Sequence, residues 1–324
     1  MTTNTTRTMT MSWLLILLAG CSTDTREQVD MWEVGEMHPD MLRTTDMSVM
    51  TEDRGVLDTG GGEDLSEVDQ PVDMPAWSTP EGMVNIPQGS FIMGTSLEEN
   101  FNAHRQSEYP PHQVYLSRYA IDRYEVTVAQ YAECVEQGAC LPLGEATLFG
   151  ELCNDDVVER ADHPINCVDW ERANTFCKWV GKKLPTEAQW EKAASGPESL
   201  AYPWGDSPEP SCEYAVIKQC ERGTTWAVGE HPKDISPYGV HDLMGNVQEW
   251  ARNPFYAYPM EGSLDDPAQD DERMGEQTAN YKGESFFSGS ADTIRVSTRN
   301  SANYTASLPY IGFRCVYEGP ETSP

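Results

Sequence analysis

Positive charge is scarce in this chain: 22 Lys and Arg stand against 53 Asp and Glu in 324 residues, for a net charge of −31. Nucleic-acid binding through counterion release needs clustered Lys and Arg, so that class is excluded. Long apolar runs are equally scarce. The one present, Trp13 to Ala19, is too short to cross a bilayer, and a mean hydropathy of −0.56 leaves no room for several spans. No C-x-x-C pair offers the spacing of a zinc site. The histidines (His38, His104, His112, His163, His231 and His241) show no H-x-x-x-H spacing, although an iron triad of two His and a carboxylate can still assemble in space. No G-x-S-x-G elbow presents a serine nucleophile, which leaves Ser285 and Ser288 without that support. What the chain does have is 39% apolar residues with 9 Trp and 14 Tyr, too rich for a disordered protein.

The short apolar run follows Arg7 and ends in Leu18-Ala19-Gly20-Cys21, which resembles the lipobox of bacterial lipoproteins. That resemblance implies a signal peptide over 1–20 and a lipidated Cys21 that anchors the chain without a membrane-spanning helix. Ser22, rather than Asp, follows it, and implies transfer to the outer membrane, facing the periplasm or the cell surface. The alternative is an ordinary cleaved signal followed by an unrelated Cys. Setting Cys21 apart from the 9 cysteines leaves an even number in an exported chain, which reads as a set of disulfides. Between Ser22 and Pro80 acidic residues far outnumber the three Arg, a Gly60-Gly61-Gly62 run interrupts the chain, and no apolar period appears. Residues 21–80 are therefore expected to be a disordered acidic tether, with Trp32 and Trp77 incidental to it or making a transient contact.

From Met83 the texture changes to short apolar alternations punctuated by aromatics, Gly and Pro. Residues 83–87 and 90–94 around Gln88-Gly89 read as a hairpin, and His112 to Tyr119 as a further strand. Three helices are expected: one opened by Thr127 with Gln130 in a capping-box relation and ended by Gly138, one from Asp169 to Val180 ahead of Gly181, and one from the Thr186 cap, with Gln189, to about Ala194. After Ser195 helical periodicity vanishes, so the class is α+β, a single domain with low regular secondary structure over 81–319 and a short tail over 320–324. Trp170, Trp179, Trp190, Trp204 and Trp250 are expected in the core.

Several blocks, in order, resemble the sulfatase-modifying-factor, or formylglycine-generating enzyme, domain. They are residues 83–94, Tyr124-Glu125-Val126-Thr127, residues 163–170, residues 181–191, Tyr202-Pro203-Trp204-Gly205-Asp206, Tyr238 to Trp250 with Gly245-Asn246-Val247-Gln248-Glu249-Trp250, and Ile311-Gly312-Phe313-Arg314. The resemblance implies an irregular fold related to C-type lectins. It also implies a disulfide between Cys177 and Cys315; by proximity the remaining pairs are Cys134 with Cys140, Cys153 with Cys167 and Cys212 with Cys220.

The family's oxidases turn a cysteine of a sulfatase into formylglycine with two cysteines that bind copper, soft thiolates suiting Cu(I). Here the corresponding positions are Ser288 and Thr293, and no Cys lies between Cys220 and Cys315, so copper is not expected and no catalytic residue is assigned. Glu284 replaces the second glycine of the preceding motif, which questions the local backbone. Resemblance also implies calcium held by Asp242 and Glu249 carboxylates with main-chain oxygens of Gly245 and Val247; the alternative is a capped turn with Glu249 paired to an Arg. A second calcium site is expected to be lost, Val216 replacing its Asn. Arg295, Arg299 and Arg314 form a basic cluster that either lines a binding groove with Ser285 and Ser288 or pairs internally with acids. The reading that follows is a lipid-anchored, non-catalytic module for an unknown peptide, glycan or protein partner. The alternative is a cysteine-independent enzyme of the same family, carrying out oxidative maturation of a protein or peptide.

Overall fold

The structure is a computed structural model that describes residues 77–96, 103–144, 152–155, 157–220, 222–259, 263–266, 278–287 and 293–320, with backbone alone at 103–105 and 157. The signal peptide, Cys21, the tether as far as residue 76 and Ser288 lie outside the described residues. The chain divides after Gln70, and everything described belongs to the part from Pro71 onward.

Strands β1 (Met83–Ile86), β2 (Gly89–Met93), β3 (His112–Leu116) and β4 (Tyr119–Asp122) organise the first half. The expected hairpin between 83–87 and 90–94 does not form. β1 pairs with β4 and β2 with β3, and the register that sets Met83 opposite Asp122 runs on without a slip to Gly89 opposite Leu116 and Met93 opposite His112. Residues 83–93 and 112–122 are thus one long antiparallel ribbon, bent at a corner. The reason lies at the corner itself. Pro87 has no N–H to give a tight turn, and the carbonyls of Pro87 and Gly89 are taken by the buried ammonium of Lys192 at 2.9 and 2.7 Å. The same corner splits the strand expected over 112–119. There the Ser117 N–H and hydroxyl both donate to the Asp266 carboxylate at 2.6 Å, fixing the bend.

The bend turns the ribbon into two sheets. β10 (Val316–Tyr317) adds to the free side of β4, and β6 (Leu264–Asp265) adds in parallel to β3. A third sheet has the order β8 (Asn300–Asn303), β7 (Thr278–Lys282), β5 (Gln248–Pro254) and β9 (Ile311–Gly312). Trp77, read from sequence as part of the tether, lies against Tyr317 with ring centroids 5.7 Å apart.

The helices follow their local signals. α1 (Val128–Glu136) and α4 (Glu187–Ser195) each start with a complete capping box, Thr127 with Gln130 and Thr186 with Gln189, satisfying N–H groups that a helix start leaves unpaired. α2 (Val157–Arg160), too short to leave a period in the sequence, comes between α1 and α3 (Trp170–Trp179), which is capped by Asp169. No helix among the described residues follows α4, and none is long and apolar enough to cross a membrane.

Two apolar cores result. One joins the bent ribbon to α4 through Ile86, Phe91, Val114, Ile121, Trp190 and Leu243. The other joins α1 and α3 to the third sheet through Tyr131, Trp170, Phe176, Trp250 and Phe313, with Trp179 partly buried at its margin. The indoles of Trp170 and Trp250 give their N–H to the carbonyls of Ala251 and Val168 at 2.8 and 3.0 Å, so their burial leaves no donor unmet. Disulfides link Cys134 to Cys140, Cys153 to Cys167, Cys212 to Cys220, and Cys177 on α3 to Cys315, 138 residues away. This is an irregular, disulfide-stapled α+β domain.

Candidate functional site

The turn leading into β5 carries the residues expected to hold calcium. Asp242 and Asn246 both take left-handed backbone conformations, with φ of 57° and 62°, a region short polar side chains tolerate. Gly245 packs directly on Val216, where a Cβ would meet the Val216 nitrogen at 2.4 Å. Val216 therefore presents backbone, not a side-chain oxygen, to this turn.

Glu249 is fully engaged. Its Oε2 accepts from Trp190 Nε1 at 2.8 Å and from Arg314 Nε at 2.7 Å, and its Oε1 accepts from Arg314 Nη2 at 2.7 Å. Arg314 is completely buried and spends its other donors on the carbonyls of Asp122, Arg123, His241 and Asp242. Burial opposes its charge, but Glu249, Glu125 and Asp242 bind the proton more firmly than usual. Asp242 in turn accepts from the Gly229 N–H at 2.6 Å. Glu249 is thus paired to an arginine, the contact that the capped-turn alternative names.

Two further acids, which sequence reasoning did not assign to this place, crowd the same spot. Burial and the charge of Asp242 push the Glu125 carboxyl well above the usual range, and burial and Asp242 likewise lift Asp234 to about 8. Asp242 itself is lifted by burial to about 6, against the pull of Gly229 and Arg314. Glu125 Oε1 and Asp234 Oδ1 are buried with no hydrogen-bond partner. In donor chemistry this excess of carboxylate over one guanidinium suits calcium; in hydrogen bonding Glu249 is already satisfied. No group of three or more His, Cys, Asp or Glu side chains stands ready for a metal ion among the described residues. Glu125 carries a faint sequence signal, an acid set between Tyr124 and Val126; Asp234 carries none.

The second expected region is Gly283 to Arg299. Gly283 takes φ of +78°, and a Cβ there would sit 2.7 Å from the Leu243 carbonyl, so the first glycine of the motif is the one the fold needs. Glu284, whose presence questioned this backbone, is not among the left-handed residues and is buried beside Ser285. Gln248 bridges back to the Gly283 carbonyl at 3.2 Å. Thr293 accepts from the Thr298 hydroxyl through its carbonyl at 2.7 Å. Every cysteine among the described residues is in a disulfide.

The arginines do not form an open anion groove. Arg295 makes a two-point contact with the buried Glu108, Nη1 to Oε2 at 2.5 Å and Nη2 to Oε1 at 3.0 Å. Arg299 does the same with Glu187 at 2.5 and 2.7 Å and lies over the Tyr258 ring, 3.9 Å from its centroid. Burial would raise the Glu187 carboxyl, but Arg299 and Lys282 together hold it below its ordinary range. Lys282 also bonds Glu191 at 2.7 Å, completing a buried chain of alternating charges. These guanidiniums brace the core, and Ser285 is buried with them. Among the described residues of this region, what is exposed is aromatic. Phe287 is 50% exposed and stacks on Tyr310, with centroids 5.9 Å apart and planes 18° from parallel. The Lys218 ammonium stands 5.7 Å from the Phe287 ring centre.

Residues 70–319 match the family described as the sulfatase-modifying factor enzyme 1-like domain. The chain is 29% identical over 219 residues to the formylglycine-generating enzyme of Bos taurus, covering 53% of this chain and 58% of that protein, so it spans little more than half of that relative. It is 28% identical over 281 residues to a Bos taurus protein named inactive C-alpha-formylglycine-generating enzyme 2, covering 72% of this chain and 87% of the other. Among solved structures it is similar to PvdO from Pseudomonas aeruginosa, with a TM-score of 0.56 and 25% identity over 73% of this chain and 94% of that one.

Proposed function

The chain belongs to the family of sulfatase-modifying factor enzyme 1-like domains, and from that premise we propose that it is a non-catalytic member, a binding module tethered to the membrane by a lipid on Cys21. The observation that carries this reading is the state of its thiols: every described cysteine is spent in a disulfide, and Ser288 and Thr293 stand where the family's copper ligands belong. Hydroxyls are poor ligands for Cu(I), so the step that activates dioxygen has no metal to act through. Similarity to a relative named as inactive supports the same reading.

With the arginines committed to Glu108 and Glu187, the exposed Phe287, backed by the partly buried Tyr310, is the surface offered to a peptide, glycan or protein partner. Aromatic faces bind apolar side chains and sugar rings at little conformational cost. Calcium belongs to the proposal as a structural ligand at Asp242, Gly245, Val247 and Glu249, where it would compete with Arg314 for Glu249.

The test is an oxidase assay. The full chain, loaded with copper under air, is incubated with a cysteine-containing sulfatase peptide, and aldehyde is captured with a hydrazide. No aldehyde above the protein-free blank is expected. Catalytic aldehyde formation would overturn the reading and place the chain among cysteine-independent enzymes of the family.

A further inference from the structure

A cavity of about 480 Å³ opens between the start of β1, the end of β4 and helices α1 and α3. Its volume lies within the range of ligand-binding clefts, and it shares no residue with the face around Phe287. Its apolar wall is Tyr124, Phe176 and Trp179. Its charged lining is predominantly acidic: Glu81, Asp122, Glu125 and Glu133 against Arg123 and Lys182. Of the two cations, Lys182 is neutralised by Asp122 at 2.6 Å, while Arg123 is exposed at the rim.

Beside this acidic lining, two features suit the cavity to a hydrogen-bond donor. Glu125 lines it while 2% exposed, and its Oε1 has no hydrogen-bond partner. Trp179, the last residue of α3, and its cap Val180 also line it, bringing the negative end of a helix to the opening. The start of α1 lies there too, but its first-turn donor is already spent on the Thr127 and Gln130 capping box, so it offers little to an anion. Aromatic faces beside carboxylates are a setting for cations.

We propose that this cavity receives a lysine or arginine side chain projecting from a polypeptide partner, its alkyl stem along Tyr124, Phe176 and Trp179 and its charged head toward the Glu125 end. The chain's net charge of −31 steers such a basic partner on approach, and the cavity then selects one side chain from it. This site stands independently of whether the Phe287 face holds a partner.

The experiment titrates acetyl-arginine amide into the full chain and follows the Trp179 indole N–H by NMR, assigned through its loss in Trp179→Phe. Acetyl-citrulline amide, of the same shape without the charge, is the control. Arginine amide is expected to shift the indole saturably, and citrulline amide to bind at least tenfold more weakly. Glu133→Lys, on the exposed face of α1, should weaken arginine binding at least tenfold while leaving the melting temperature unchanged. Equal binding of citrulline, no shift with arginine at its solubility limit, or arginine binding that survives Glu133→Lys would each overturn the assignment.

Discussion

Removing Arg314 should cost the domain several interactions at once. Its guanidinium gives two bonds of 2.7 Å to Glu249 and further bonds to four backbone carbonyls, all in full burial. Arg314→Met keeps the stem but leaves Glu249 with only the Trp190 indole, beside Glu125, Asp234 and Asp242. Breaking a buried ion pair on one side costs about 3 to 5 kcal/mol, because the other charge is stranded. Arg314→Lys keeps the charge but loses the planar fork, so its cost should fall between that value and zero. Adding Glu249→Gln to Arg314→Met should recover part of the loss, since the stranded charge is then gone. The assay is urea unfolding at pH 7, with the slope of free energy against urea checked for constancy across the set. The penalty of Arg314→Met should also shrink between pH 7 and pH 5, as Asp242, held near 6, takes up its proton. A loss below about 1 kcal/mol for Arg314→Met, within the range of an ordinary single hydrogen bond, would refute the claim that this guanidinium holds the acids together.

Replacing Cys177 and Cys315 by Ser opens a loop of 138 residues; the chain-entropy view gives a loss of about 4 to 5 kcal/mol, and an unchanged melting temperature under oxidising conditions would contradict it. Glu318 is held at about 2 by Arg252, Gln189 and Lys183 against the opposing effect of burial, so its contribution is complete above the ordinary value of 4.5 and is lost as pH falls through 2. Allowing for its 29% exposed side chain, Glu318→Gln should cost about 2 kcal/mol at pH 7, from about 1.4 kcal/mol per pKa unit, and nothing near pH 2; a difference independent of pH argues against the ionic clamp. If calcium competes with Arg314 for Glu249, calcium should raise the melting temperature of the wild type relative to chelator, and Asp242→Asn should abolish that difference. Cys21→Ser should leave the chain unlabelled by radioactive palmitate and release it from the membrane fraction; retention would remove the anchor from the proposal.

The parts of this fold that depend on neighbours three residues away were readable. Thr127 with Gln130 and Thr186 with Gln189 announce helix starts because both partners of each capping box sit in one short window. The ribbon was misread for the opposite reason. Nothing within 83–94 says that its partner lies at 112–122, and Gln88-Gly89 mimics a turn until Lys192, far along the chain, is seen to occupy the corner. The arginines show the same limit. Sequence allowed Arg295 and Arg299 either a groove or internal pairing with acids, and only the fold shows that the partners are Glu108 and Glu187. In the turn from Asp242 to Glu249 the acids are visible in one short window, whereas the buried company of Glu125 and Asp234 comes from segments that carry no shared pattern.

The segment from Ile311 to Glu318 has a consequence for how the protein is made. It supplies β9 to the third sheet, Arg314 to the acids, Cys315 to α3, β10 to the flank of β4 and Glu318 to the clamp on Lys183 and Arg252. Each of these joins follows everything it joins in the order of synthesis. A chain made from its first residue onward therefore has, until this segment is made, its ribbon edge bare and its acids unpaired. The three short disulfides, spanning 6, 14 and 8 residues, join segments that are all made before it, but the domain as a whole must wait for its keystone to arrive.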